Sequence, residues 1–120
     1  MADILSYATI ENKIRETVRA IEAIVDEIAD AAQEASRAEA AWQYKFACER
    51  ITYRGEQEAS GKKATTDAAT DWATMETKTE LEEHLLAKNN LTVLRSSLSA
   101  KQETLSALRT LAASHRAAGG

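Results

Sequence analysis

The sequence predicts an all-α fold, a long antiparallel helical hairpin of coiled-coil type that assembles into a multi-helix bundle. Three observations carry this reading. The 120-residue chain has no proline, 4 glycines and 5% aromatic residues, a composition poorly suited to turn-rich β-structure. Apolar side chains recur at alternating spacings of three and four over long stretches, the mark of a helix with one buried stripe. Charge comes in blocks: residues 1–40 hold 9 acids and 4 bases, residues 41–63 hold 3 acids and 5 bases, residues 64–87 hold 6 acids and 1 base, and residues 88–120 hold 1 acid and 5 bases. A chain that doubles back near its midpoint lays each acidic block beside a basic one, which sets an antiparallel register.

One domain is expected over residues 1–120. Its first helix runs over about residues 6–54, where nothing breaks it, and at 1.5 Å per residue is roughly 70 Å long. Its seam reads Ile14, Val18, Ile21, Val25, Ile28, Ala32, Ala35, then Glu39, Trp42, Phe46, Glu49 and Tyr53. A second row at Ile10, Ile24, Ala31 and Ala38 widens the stripe and favours more than one packing neighbour. Between Ala29 and Ala41 the side chains are mostly alanine, so helices can approach closely there. Trp42, Tyr44, Phe46 and Tyr53 are expected to fill the end of the hairpin against Trp72 and Met75. The alternative makes these rings a base-stacking platform, aided by Lys45, Arg50 and Arg54.

The loop is placed at about residues 55–64, because it starts at Gly55, contains Gly61 and has no apolar residue larger than alanine. Thr65 or Thr66 then offers an N-cap, and Asp67 and Asp71 suit the positive end of a helix dipole. The second helix should cover about residues 66–116, with residues 117–120 a flexible tail. Its later seam is Leu91, Leu94, Leu98, Lys101, Leu105, Leu108 and Ala112, whereas Trp72, Met75, Leu81, Leu85 and Leu86 follow a different phase, the sign of a stutter, a locally straightened coil or a switch of packing partner. Lys88, Arg95, Gln102, Arg109 and Arg116 recur every heptad on one flank. They are expected to pair with Glu11, Glu16, Glu22, Asp26 and Glu27 of the first helix. The competing use of the same cations, together with Lys45, Arg50, Arg54, Lys62 and Lys63, is contact with nucleic acid, which the acidic balance and a pI of 5.2 disfavour.

Signals of chemistry are sparse. Glu80 and His84 stand one helical turn apart and read as a solvated surface pair, since the second histidine, His115, lies far along the chain and no third ligand joins them. Cys48 has no general base fixed beside it and reads as a packed thiol. There is no phosphate-cradling glycine loop and no nucleophile elbow. The expectation is a protein that is not an enzyme, with no cofactor and no metal. A single cysteine needs no oxidising compartment, and neither a leader nor a membrane span is apparent, so a cytoplasmic protein is expected.

The stretch from Lys62 to Arg116 has a threonine-capped helix start and an acidic first turn. It then runs through Leu94, Arg95, Ser96, Ser97 and Leu98 and on through Leu105, Leu108, Arg109, Leu111, Ser114 and Arg116. It resembles small all-helical accessory proteins encoded in the early, recombination and replication regions of tailed bacteriophages. That resemblance covers about the last half of the chain and implies a cytoplasmic, non-enzymatic protein acting in phage DNA metabolism or against a host factor. Tyr53, Arg54 and Gly55 are similar to the Trp-x-Gly turn of the secreted helical hairpins of type VII secretion systems, with tyrosine in the tryptophan place, a longer chain and no C-terminal secretion signature. The thin core expected of a hairpin predicts self-association, as a homodimer or larger oligomer, through Ile14, Val18, Ile21, Val25, Ile28, Trp42, Phe46, Leu91, Leu94, Leu98, Leu105 and Leu108. An unidentified protein partner is expected beyond it.

Overall fold

The structure, a computed structural model, describes residues 6–119. It is an all-α helical hairpin of three helices, α1 (Tyr7–Ala59), α2 (Thr66–Glu76) and α3 (Lys78–Gly119), with no strand among the described residues. Among the described residues no helix is long and apolar enough to cross a membrane.

Each boundary has a local cause. The Ser6 hydroxyl accepts a hydrogen bond from the Thr9 amide at 3.1 Å and caps the start of α1. Gly55 does not end that helix. It is followed by Glu56, Gln57, Glu58 and Ala59, good helix formers that carry the backbone past it. The turn comes at Gly61, with φ +73°: its amide donates to the Glu58 carbonyl at 3.0 Å and the Lys62 amide to the Gln57 carbonyl at 2.8 Å, the Schellman arrangement that a left-handed residue allows. The loop is therefore residues 60–65, not 55–64, and α1 runs beyond residue 54. Thr65 caps α2, its hydroxyl accepting from the Ala68 amide at 3.1 Å, with Asp67 in the first turn.

The second helix of the sequence reading is two helices. Thr77, with φ −110° and ψ 19°, interrupts the helical backbone between α2 and α3. It is fully buried, and its hydroxyl donates to the Ala73 carbonyl at 2.7 Å, so its one polar side-chain group is satisfied inside. At the far end α3 stays helical through Ala117, Ala118 and Gly119, where a flexible tail was expected; Gly120 lies outside the described residues.

Contacts among the described residues gather into two compact units: the chain up to Asp30 together with the part from Thr92 onward, and Ala31–Leu91. In the first, α1 and α3 run antiparallel, with Tyr7 tilted against His115 at 6.3 Å between ring centroids. Its fully enclosed side chains are Ile10 and Ala112. In the second, α1 packs against α2 and the start of α3, and the enclosed residues are Ala31, Ala38, Ala69, Ala73 and Thr77. Small side chains in the second core let the backbones come close.

Half of the predicted α1 seam is in phase. Ile14, Ile21, Ile28, Ala35, Trp42 and Glu49 turn inward, joined by Ile10, Ile24, Ala31 and Ala38 of the expected second row and by Thr17 and Lys45. Val25 is 49% exposed, while Ala31 and Ala38 are almost fully buried. Val18 and Phe46 lie at the edge of the stripe, half-buried. On α3, Leu91, Leu94, Leu98, Leu105 and Leu108 are half-buried as expected, and the same spacing continues backward through Ala87, His84 and Glu80. Of the readings open for the drift in phase, a stutter is absent from this helix. Leu85 and Leu86 stand out of phase because they face away, and the change of packing falls at Thr77.

Candidate interaction site

The side chains with polar or aromatic chemistry converge in the unit formed by Ala31–Leu91. Trp42 and His84 occupy facing seam positions on α1 and α3, and their rings stack with centroids 5.4 Å apart and planes 4° from parallel. Phe46 leans on Trp42 at 5.7 Å. One turn along, Lys45 donates to Glu80 at 3.1 Å, a half-buried pair joining the same two helices. Towards the turn, Tyr53 stacks on Trp72 of α2 at 5.7 Å, and the Trp72 indole donates to Glu49 at 3.3 Å. Arg54 donates to the Thr66 hydroxyl at 2.9 Å and so ties α1 to the first residue of α2. The Arg50 guanidinium lies over the Phe46 ring at 6.0 Å.

The hydrogen bond from Lys45 holds the Glu80 carboxyl below the usual glutamate range, helped by a backbone amide and opposed by partial desolvation. Several buried polar atoms have no hydrogen-bond partner within the chain: Trp42 Nε1, His84 Nδ1, Glu80 Oε1, and the Nε atoms of Arg50 and Arg54. Glu80 and His84 are thus not the solvated pair the sequence suggested. One is engaged with Lys45 and the other is stacked on Trp42. Among the described residues no group of three histidine, cysteine or carboxylate side chains is placed to hold a metal ion. Cys48 is a half-buried free thiol.

The aromatic cluster holds Trp42, Phe46, Tyr53 and Trp72 but not Tyr44 or Met75, which are 75% and 72% exposed. Tyr44 belongs to the outer face of α1. Ile51, Leu85 and Leu86 are also largely exposed in this unit. Leu86 lines a shallow groove of about 580 Å³ with Glu34, Arg37, Glu83, Ala87 and Asn90. Arg37 and Glu34 form a bidentate ion pair at its rim, which pulls the Glu34 carboxyl below its ordinary range. Sequence alone does not single out this apolar set, because Leu85 and Leu86 share an out-of-phase row with Trp72, Met75 and Leu81 that reads as packing.

The cations singled out from sequence do not form one surface. Lys45 is taken up by Glu80, Arg54 by Thr66 and Arg50 by Phe46, while Lys62 and Lys63 project from the loop. Arg95, Arg109 and Arg116 belong to the other unit. There Arg116 sits over the Tyr7 ring at 5.8 Å, and Arg95 and Arg109 are exposed. Lys88 is exposed and not without a partner. The expected row of ion pairs from Arg95, Arg109 and Arg116 to Glu11, Glu16, Glu22, Asp26 and Glu27 is not formed among the described residues. Tyr53, Arg54 and Gly55 lie inside α1, more than a turn before the loop, and so do not make the helix-to-helix turn on which the type VII similarity depends.

No protein-family model, curated protein or solved structure matches this chain.

Proposed function

We propose that this chain is a non-enzymatic accessory protein that acts by binding another protein, of the kind encoded beside recombination and replication genes in tailed bacteriophages. It works in the cytoplasm of the infected bacterium, on phage DNA metabolism or on a host factor. The observation that carries the reading is the exposed apolar set of the Ala31–Leu91 unit, with Leu86 70% exposed in a groove rimmed by Glu34, Arg37 and Glu83. Apolar side chains ringed by charges are the usual anatomy of a protein contact. The leucine, serine and arginine pattern of α3 supports the phage setting.

Direct binding of single-stranded nucleic acid is the less favoured reading. Its best cations, Lys45, Arg50 and Arg54, are engaged with Glu80, Phe46 and Thr66, and its rings stack on one another. Affinity capture from the native host in the presence of nuclease tests the proposal. A defined protein should be retained by the wild-type chain and lost with Leu86→Lys. Salt-sensitive binding of labelled single strands in fluorescence anisotropy, with no protein captured, would replace this reading by the nucleic-acid one.

A further inference from the structure

In the unit formed by the chain up to Asp30 and the part from Thr92 onward, two helices cover little of their own seam. Its enclosed side chains are Ile10 and Ala112, while Ile14, Ile21, Leu98 and Leu105 stay half-buried. The uncovered side of that seam is a furrow. Ile21 and Leu105 share a shallow groove of about 560 Å³ with Gln102, Ser106, Arg109 and Ala113, and Ile14 and Ala112 share one of about 150 Å³ with Tyr7, Glu11, Arg15 and Arg116. Tyr7, Ile14 and Ile21 recur every heptad, as do Gln102, Arg109 and Arg116, so the two grooves follow one flank of each helix.

A row at spacings of three and four edges the furrow on each helix. On α1 it is Glu11, Arg15, Val18, Glu22 and Val25, with Arg15 its one base; on α3 it is Arg95, Ser99, Gln102, Ser106, Arg109 and Ala113, with two bases and no acid. Val25 is 49% exposed and Val18 half-buried, two branched apolar side chains that the chain's own seam leaves over. Among the described residues no ion pair joins the two rows, and Glu22, Arg95 and Arg109 have no ion-pair partner within the chain. The imbalance extends to the whole of each helical segment: Tyr7 to Asp30 holds 6 acids and 3 bases, and Thr92 to Gly119 holds 1 acid and 4 bases.

We propose that this furrow docks the same furrow of a second copy of the chain about a two-fold axis parallel to the helices, closing a four-helix bundle in which α1 of each chain lies against α3 of the other. Val18 and Val25 then join Ile21 and Leu105 in a core that one chain leaves half open. Charge fixes the arrangement. An axis perpendicular to the helices sets α1 on α1 and α3 on α3, acid on acid and base on base, whereas a parallel axis sets each acidic row on a basic one. A basic partner would answer Glu11 and Glu22 alone and an acidic partner Arg95 and Arg109 alone; a second copy answers both. A parallel axis also leaves heights unchanged, so Val25 comes level with Gln102 of the second copy, one turn along from the level that Ile21 shares with Leu105. The Leu86 groove belongs to the other unit, and either face can fail without the other.

Light scattering on the full chain over a dilution series is the test. The wild type should show the mass of two chains. V18D/V25D should pair at least about a hundredfold more weakly with helical circular dichroism unchanged, whereas V93D, at a position 57% exposed on another row of α3, should pair as the wild type does. E11K/E22K and R95E/R109E should each weaken pairing by about tenfold, and an equimolar mixture of the two should restore it, because every contact between unlike chains is again acid on base. In a Cys48→Ala background, chains with V25C alone mixed with chains with Q102C alone should form the mixed disulfide in preference to either like pair. A monomeric wild type, pairing indifferent to V18D/V25D, or a preference of V25C for a second V25C would overturn the proposal.

Discussion

Gly61 takes φ +73° with open space where a Cβ would sit, so alanine there meets backbone strain and no clash. Gly55 also has open space, but it lies in the interior of α1. The two substitutions should therefore act in opposite directions. Gly61→Ala is expected to lower stability by about 1 kcal/mol and Gly55→Ala to raise it by a similar amount, both read by thermal or urea unfolding. A second expectation concerns Glu80. Its folded carboxyl is more acidic than in an unfolded chain, because Lys45 donates to it. The stabilisation is present where the unfolded carboxyl is already ionised and is lost as pH falls through the folded value. Melting temperature should drop as pH is taken below about 4, and Glu80→Gln should flatten that part of the profile. The sequence shows both glycines but not which one is left-handed, since that depends on where the last helical carbonyls find donors. It shows Glu80 and His84, but not that Lys45 and Trp42 stand across from them.

At the scale of the helix, the period and the inward row of Ile10, Ile24, Ala31 and Ala38 were legible, whereas Val25 and Glu39, read as seam residues, are exposed. Apolar size ranks Val25 above Ala31 and Ala38, whereas closely approaching helices enclose the alanines and leave the valine out. Similarly, Leu85 and Leu86 read as packing residues until Glu80 and His84 are seen to face Lys45 and Trp42 of α1. The N-cap of α2 was legible to within one residue, Thr65 or Thr66, because a threonine followed by Asp67 states its own chemistry. The break at Thr77 was not: nothing in a run of helix formers marks it, and it becomes intelligible only once the side chain is seen enclosed with its hydroxyl on Ala73. The flank of α3 carries a third prediction. Arg95 and Arg109 make no ion pair with the acids of α1 among the described residues, so reversing both to glutamate should shift stability by no more than about 0.5 kcal/mol per site. A larger loss in chemical denaturation would mean that these cations pair with those acids in solution.

For the molecule as a whole, blocks of opposite charge and the absence of proline were enough to read an all-α hairpin that turns near its midpoint. The direct ion pairs expected from those blocks are sparse, and what joins the helices of the Ala31–Leu91 unit is instead a short series of mixed contacts: Trp42 on His84, Lys45 on Glu80, Tyr53 on Trp72, Arg54 on Thr66. These need particular partners across the hairpin, which a single sequence does not display. The connection between the arms is held otherwise. From Ser60 to Thr65 it depends on its own backbone bonds and buries no side chain fully. Foreign sequence spliced between Lys62 and Lys63, such as an epitope or a fluorescent reporter, would therefore leave every interhelical contact named above in place, and it offers a way to follow this protein in a living cell with both chain ends untouched.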